Sequence, residues 1–169
     1  MPLPISHGLV GASVVALNQP QNPILCSWQS LLLSALLAIS PDFDFFLVWG
    51  LQLGRGLHRG FTHSLIFAGV VTALMLMILG ISRIREAIIY GSAYLSHALL
   101  DFSTTKFGGG VELLWPFSTQ RFKLELIGLS EFPIGFKLSE IIKYSVIELM
   151  IFVPLLLIIL LFRKFVILD

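Results

Sequence analysis

Charge and cysteine are what this sequence has least of. Only 12% of its 169 residues are Asp, Glu, Lys or Arg, against roughly 25% in an ordinary soluble domain. So few solvated groups cannot cover a soluble globule of this length, which excludes a soluble globular enzyme. A formal net charge of +1 leaves no basic footprint for a phosphate backbone, so nucleic acid is excluded as a partner. Cys26 is the only cysteine, so there is no internal disulfide, no CxxC pair and no thiolate cage for structural zinc. No Lys or Arg precedes the first apolar run. The positive start of a cleavable signal peptide is therefore missing, and the first helix is expected to be retained.

Apolar residues are what remains. They make up 56% of the chain, with a mean hydropathy of +0.91, which also excludes a disordered chain. The expectation is one integral membrane domain over residues 1–169, all-α, a polytopic bundle of about four to five helices. Four stretches approach the roughly 20 residues that cross a bilayer: Ile24–Ser40, Phe61–Ile81, Ile84–Asp101 and Ser145–Phe162. Phe61–Ile81 is the clearest, with no Asp, Glu, Lys or Arg. A shorter run, Ile5–Leu17, is expected to insert with Ile24–Ser40 as a hairpin around the turn signal Asn18–Pro23. Residues 5–101 then form a helical core, and 141–164 a C-terminal transmembrane helix that Pro154 should kink. Residues 102–140, with Gly108–Gly110, Trp115-Pro116-Phe117 and several charges, read as an interfacial segment of loops and short strands with aromatics at headgroup depth.

Ionisable groups near or inside spanning helices are costly, and in so apolar a chain they are functional candidates. There are four histidines, His7, His58, His63 and His97, each near a helix end and each with an aspartate near it: Asp42 and Asp44 in Pro41-Asp-Phe-Asp44, and Asp101. Counting crossings brings them together. His7 begins the first helix, the second returns with Asp42 and Asp44, His58 and His63 flank the start of the third, and the fourth ends at His97 and Asp101. All seven fall at one membrane face.

The spacings suit metal ligation. His97 and Asp101, four apart, share a helical face. Asp42 and Asp44, two apart, point the same way if the backbone is extended. Imidazole with carboxylate fits Zn, Mn or Fe(II) rather than Ca. Three or four ligands satisfy one catalytic zinc, whereas two ions about 3.5–4 Å apart would use all seven; one or two ions are expected. Taken alone, His7 reads more readily as a cap or headgroup contact, while Asp42 and Asp44 read equally well as a polar turn and His97 with Asp101 equally well as a structural pair. Convergence of every histidine is what favours a site. Arg59 is a candidate to hold an anionic substrate group, or else an interfacial snorkelling arginine. Thr62 is expected to cap the third helix, and Ser96, Ser103, Thr104 and Thr105 to serve as caps or supporting donors. Glu148, inside the last span, either pairs with Lys143 or faces the bundle interior.

His58-Arg-Gly-Phe-Thr-His-Ser64, with Pro41-Asp-Phe-Asp44 before it and Ser96-His-Ala-Leu-Leu-Asp101 after it, resembles the prokaryotic family of membrane-bound metal-dependent hydrolases. That family is described as LexA-binding, inner membrane-associated hydrolases. Ser6-His-Gly-Leu-Val-Gly11 and Leu113-Leu-Trp-Pro-Phe-Ser118 extend the likeness over roughly residues 5 to 122. The resemblance implies that His7, Asp42, Asp44, His58, His63, His97 and Asp101 are the metal and active-site residues. It also implies hydrolase activity, an inner (cytoplasmic) membrane location and a LexA contact.

The function expected is a membrane-embedded metal-dependent hydrolase acting on a lipid or membrane-proximal ester, preferably a phosphoester. A metal-activated water attacks, Arg59 neutralises developing charge, and Asp44 or Asp101 acts as general base. Membrane lipids and a lipid-like substrate are the partners. The alternative is a membrane metal-binding or metal-transport protein, although ligands gathered at one face without an internal repeat fit a transporter less well. A lipid phosphatase with a covalent histidine is rejected, because Ser82-Arg83 and His97 would lie a membrane crossing apart. Basic residues number seven on the site face (Arg55, Arg59, Lys106, Arg121, Lys123, Lys137, Lys143) and four on the other (Arg83, Arg85, Arg163, Lys164). That favours a cytoplasmic site.

Overall fold

The structure is a computed structural model that describes residues 2–18, 27–105, 109–126 and 138–168, with Arg55 and 163–168 described by backbone alone. Five α-helices and no strand occur among these residues: α1 (Pro4–Leu17), α2 (Trp28–Ile39), α3 (Leu65–Leu79), α4 (Ile84–Thr104) and α5 (Leu138–Leu168). Local chemistry sets the ends. Pro4 opens α1, where its fixed φ suits a first helical position. Ser27 and Ser64 cap α2 and α3 by accepting the N–H of Ser30 and Phe67. Gly80 stops α3 at φ +88, a conformation costly for any residue with a Cβ. The cap of α3 is thus Ser64 and not Thr62, because Thr62 is engaged elsewhere.

Helix α1 packs against α2, α4 and α5, while α4 also holds α2 and α3. The apolar core lies between α3 and α4 and includes Val71, Met75, Ala87, Tyr90 and Tyr94, with Val15 from α1. Outside, Leu36, Met77, Ile78, Met150, Ile158 and Phe162 are exposed, while His7, His63, His97, Asp101 and Glu148 are fully buried. This reverses the arrangement of a soluble domain, and an apolar surround makes it favourable.

Among the described residues, two continuous helical stretches are long and apolar enough to cross a membrane: Trp28–Gly50, 23 residues with mean hydropathy 1.8, and Leu138–Phe162, 25 residues with mean hydropathy 2.8. Phe61–Ile81, the clearest span by sequence, is not among them. Its first residues form a 3-10 turn, Phe61–His63, leaving α3 with 15 residues, about 22 Å at 1.5 Å per residue. Helix 2 does not stop at Ser40 but continues through a 3-10 turn, Ser40–Phe43, and a π turn, Phe46–Gly50. The expected turn past Asn18, and Cys26, Lys106, Gly108, Glu131 and Lys137, lie outside the described residues. In the 102–140 segment the short strands reduce, among described residues, to one isolated antiparallel bridge, Val111 to Phe122. Phe117 is exposed, and Trp115 rests against Phe61 with ring centroids 5.9 Å apart.

Close approach of α1 to α2 depends on Gly11. A Cβ there would lie 2.4 Å from Ala38 Cβ and 2.7 Å from the Ser34 carbonyl oxygen. Gly11→Ala is therefore expected to force the two helices apart and to lower the melting midpoint, at a cost of about 1–3 kcal/mol. Gly69→Ala serves as the control, since a Cβ there meets nothing within 4 Å. It should leave the midpoint unchanged or raise it. Thermal melts of the two variants in one detergent make the comparison.

Candidate metal centre

Each candidate side chain comes from a different local device. The second turn of α1 presents His7. The 3-10 turn after α2 presents Asp42, with Asp44 next in the chain. The loop that follows carries His58 and Arg59, the turn before α3 carries His63, and the last two turns of α4 carry His97 and Asp101. Asp42 and Asp44 do not share a direction as extended backbone would impose. Their stretch is helical, with Asp44 at φ −59 and ψ −19, so residues two apart diverge. Asp42 meets His97, whereas Asp44 meets His58 and Arg59.

The seven residues form three overlapping groups whose ligand atoms lie within 4.8 Å of one another: His7, Asp42 and His97; His63, His97 and Asp101; Asp42, Asp44 and His58. In the inner part, His97 Nε2 is 3.4 Å from Asp42 Oδ1 and 4.0 Å from Asp101 Oδ2. His63 Nε2 is 3.9 Å from both Asp42 Oδ1 and Asp101 Oδ2, and His7 Nε2 is 3.5 Å from Asp101 Oδ1. His7 and His97 stack with centroids 3.7 Å apart. These separations are too long for good hydrogen bonds. They are close to the ligand-to-ligand edge of about 3.3 Å expected when donors lie about 2.0–2.1 Å from a tetrahedral zinc.

Unsatisfied atoms provide the test of fit. The Nε2 atoms of His7, His63 and His97 and all four carboxylate oxygens of Asp42 and Asp101 are buried without a hydrogen-bond partner. Buried polar groups are otherwise paired in folded proteins, at a cost of about 1–3 kcal/mol for each left unpaired. Within the triads His7–Asp42–His97 and His63–His97–Asp101 these atoms offer three imidazoles and two carboxylates, a nitrogen and oxygen donor set suited to Zn, Mn or Fe(II).

Support from outside the cluster orients two of the rings. His97 Nδ1 lies 2.7 Å from the Ala38 carbonyl. A carbonyl only accepts, so the proton sits on Nδ1 and the Nε2 lone pair faces inward. His63 Nδ1 lies 2.9 Å from Thr62 Oγ1. Tyr94 OH donates to the Thr62 carbonyl at 2.6 Å and pins the turn.

Asp44, His58 and Arg59 form an outer arm. Asp44 Oδ1 accepts from His58 Nδ1 at 2.8 Å, and Oδ2 accepts from the Arg59 N–H at 3.0 Å and from the Thr62 hydroxyl at 3.1 Å. His58, the one histidine with residual exposure, stacks on Phe45 and meets Trp49 edge-on. Arg59 has φ +62, a strained conformation for a residue with a Cβ. Its N–H is held by Asp44, and its carbonyl accepts the Glu112 N–H at 3.0 Å. Arg121 reinforces this loop by donating to the Gly56 and His58 carbonyls while pairing with Glu112. Arg59 is buried with Nε 3.2 Å from Asp101 Oδ2, so it is no surface snorkeller. Releasing the clasp with Arg121→Ala is expected to loosen the His58–Arg59 loop while leaving the helices folded. Limited proteolysis of that loop alongside circular dichroism checks it.

Sequence reading missed the Thr62 bridge, the Ala38 carbonyl and the Tyr94 contact. No pattern marks them, because each acts through a fold-dependent neighbour. Ser96, Ser103 and Thr104 return their hydroxyls to carbonyls of their own helix, at Ala93, Leu99 and Leu100. Thr105 closes α4, its N–H bonding to the Asp101 carbonyl. Glu148 faces inward: it accepts the Leu3 N–H at 3.0 Å and the Ser6 hydroxyl, fastening α5 to the start of α1 one residue from His7.

Comparison with known proteins agrees with the inverted polarity of the fold. A family model described as YdjM inner membrane protein matches residues 1–167. The chain belongs to the YdjM inner membrane protein family. Membership places it in the inner membrane. It is 43% identical over 96 residues to inner membrane protein YbcI of Escherichia coli (strain K12), a match that covers 52% of this chain and 53% of that protein. The matched stretch is thus about half the length of the curated relative. No solved structure matches this YdjM-family chain.

Proposed function

We propose that this YdjM-family protein is a membrane-embedded metal-dependent hydrolase, a polytopic bundle of four to five helices with its site near one membrane face. The observation that carries the proposal is the inner cluster: the Nε2 atoms of His7, His63 and His97 and the carboxylates of Asp42 and Asp101, buried without a hydrogen bond and brought together in two triads that share His97. These five residues would hold the cation, zinc preferred, with manganese or iron also suited to the donors. When bound, a divalent ion there would supply a water of lowered pKa and polarise the oxygen of the bond to be cut.

The chain's own groups do the rest. Asp101, with neither oxygen hydrogen-bonded, ligates or takes a proton. Arg59 beside it neutralises negative charge that develops on the substrate. Asp44, whose oxygens already accept three bonds, positions His58 and Arg59. Exposed Phe43, Phe46 and Trp49 flank the same stretch. They favour an amphipathic substrate, with a phosphoester the preferred head. A site facing the cytoplasm follows from the distribution of Lys and Arg.

The experiment is a screen of phosphoesters and carboxyesters with detergent-purified protein, with and without added zinc, against a His63→Ala/Asp101→Ala control. Zinc-dependent turnover that disappears in the control supports the hydrolase. Metal uptake into proteoliposomes without turnover of any ester would instead make the protein a metal carrier.

A further inference from the structure

Thr62 sits where the outer arm meets the inner cluster, and proton accounting at its hydroxyl gives it a role. Oγ1 lies 3.1 Å from Asp44 Oδ2 and 2.9 Å from His63 Nδ1. The hydroxyl has one hydrogen to give. An ionised carboxylate can only accept, so that hydrogen goes to Asp44. The contact with His63 must then run the other way, with His63 Nδ1–H donating to Thr62 Oγ1. Asp44 does not reach the ring itself, since its Oδ2 is 3.7 Å from His63 Nδ1. The Thr62 hydroxyl is buried, and the turn that carries it is pinned by Tyr94.

Resting on the metal-centre reading above, the geometry points to Thr62 as a positioning residue: it fixes the proton of His63 on Nδ1 and so commits Nε2 to the cation. Through the same hydroxyl it joins His63 to Asp44, which holds the His58 ring and the strained Arg59 backbone. A ligand on the cation side and the substrate arm are thereby kept in register by one side chain. Partners of this kind, which orient a metal-binding histidine through its other nitrogen, are typically worth about ten- to a hundredfold in metal affinity.

The test uses the full chain in detergent, with 15N-labelled histidine, comparing wild type with Thr62→Val and Thr62→Ser. Valine keeps the shape and removes the hydroxyl; serine keeps the hydroxyl. Imidazole 15N shifts of the metal-free protein report the tautomer without involving a metal. Competition between protein and a chromophoric chelator for zinc reports affinity. His63 in the Nδ1–H form in wild type and Thr62→Ser, displaced from it in Thr62→Val, is the expected pattern. Zinc should bind about ten- to a hundredfold more weakly to the valine variant only. A His63 tautomer indifferent to valine, or equal zinc affinity in all three proteins, overturns the assignment. Wild type that takes no zinc while the tautomer responds as expected sinks the metal reading and leaves the positioning of His63 by Thr62 standing.

Discussion

Zinc added to the metal-free protein is expected to raise its melting midpoint strongly, and the His63→Ala/Asp101→Ala variant is expected to lose that rise. A ligand that binds only the folded state stabilises it by RT ln(1 + [L]/Kd), about 4 kcal/mol when zinc stands a thousandfold above its dissociation constant. For a chain of this size that is on the order of 10 °C. The double variant removes two of the five inner donors, and three remaining groups on two helices and one turn cannot hold the ion equally well. His63 and Asp101 are suited to the test because both are fully buried and neither carries helix capping. A wild-type midpoint unmoved by zinc would remove the reason for gathering these residues.

Asp42→Asn should change the sign of its effect with metal. Both Asp42 oxygens are buried and unpartnered, the nearest inner nitrogen being His97 Nε2 at 3.4 Å. Without a cation, this carboxylate is a desolvated group that accepts no hydrogen bond. Its replacement by a neutral amide of the same shape should therefore raise the midpoint in chelator, by about 1–3 kcal/mol equivalent. With zinc present the same change deletes a ligand and should lower it relative to wild type. Melting curves of both proteins in chelator and in zinc give four midpoints, and the predicted crossing is visible in them directly. A purely structural aspartate would be destabilising to replace in both conditions.

Glu148 gives a third expectation, independent of metal. Glu148→Ala leaves the Leu3 N–H and the Ser6 hydroxyl without their buried acceptor. That costs about 1–3 kcal/mol for each group stranded. It should also free α5 from α1, read as earlier proteolysis between the two helices.

Convergence of the histidines and aspartates was legible in the sequence because helices that reverse direction in turn bring His7, Asp42, His63, His97 and Asp101 to one end of the bundle, as the structure has them. The helices of the core were legible too, from long apolar runs. Helix limits were less so. Nothing in Phe61–Ile81 announces that Phe61–His63 forms a separate turn, since it is the contacts of Thr62 and His63 with Asp44, Asp42 and Asp101 that draw it in. Asp42 and Asp44 looked like one unit because a helical continuation past Pro41 has no strong signal, and the backbone there decides that they diverge. Glu148 could be flagged as a misplaced charge, but its partner, the first turn of α1, is 145 residues away in the chain.

The most direct measurement is the transition-metal content of the wild-type protein, extracted in mild detergent and purified without chelator. Stoichiometric zinc, manganese or iron that vanishes in His63→Ala/Asp101→Ala is the predicted result. Folded wild-type protein that carries no such metal, and takes none up on incubation, would contradict the account.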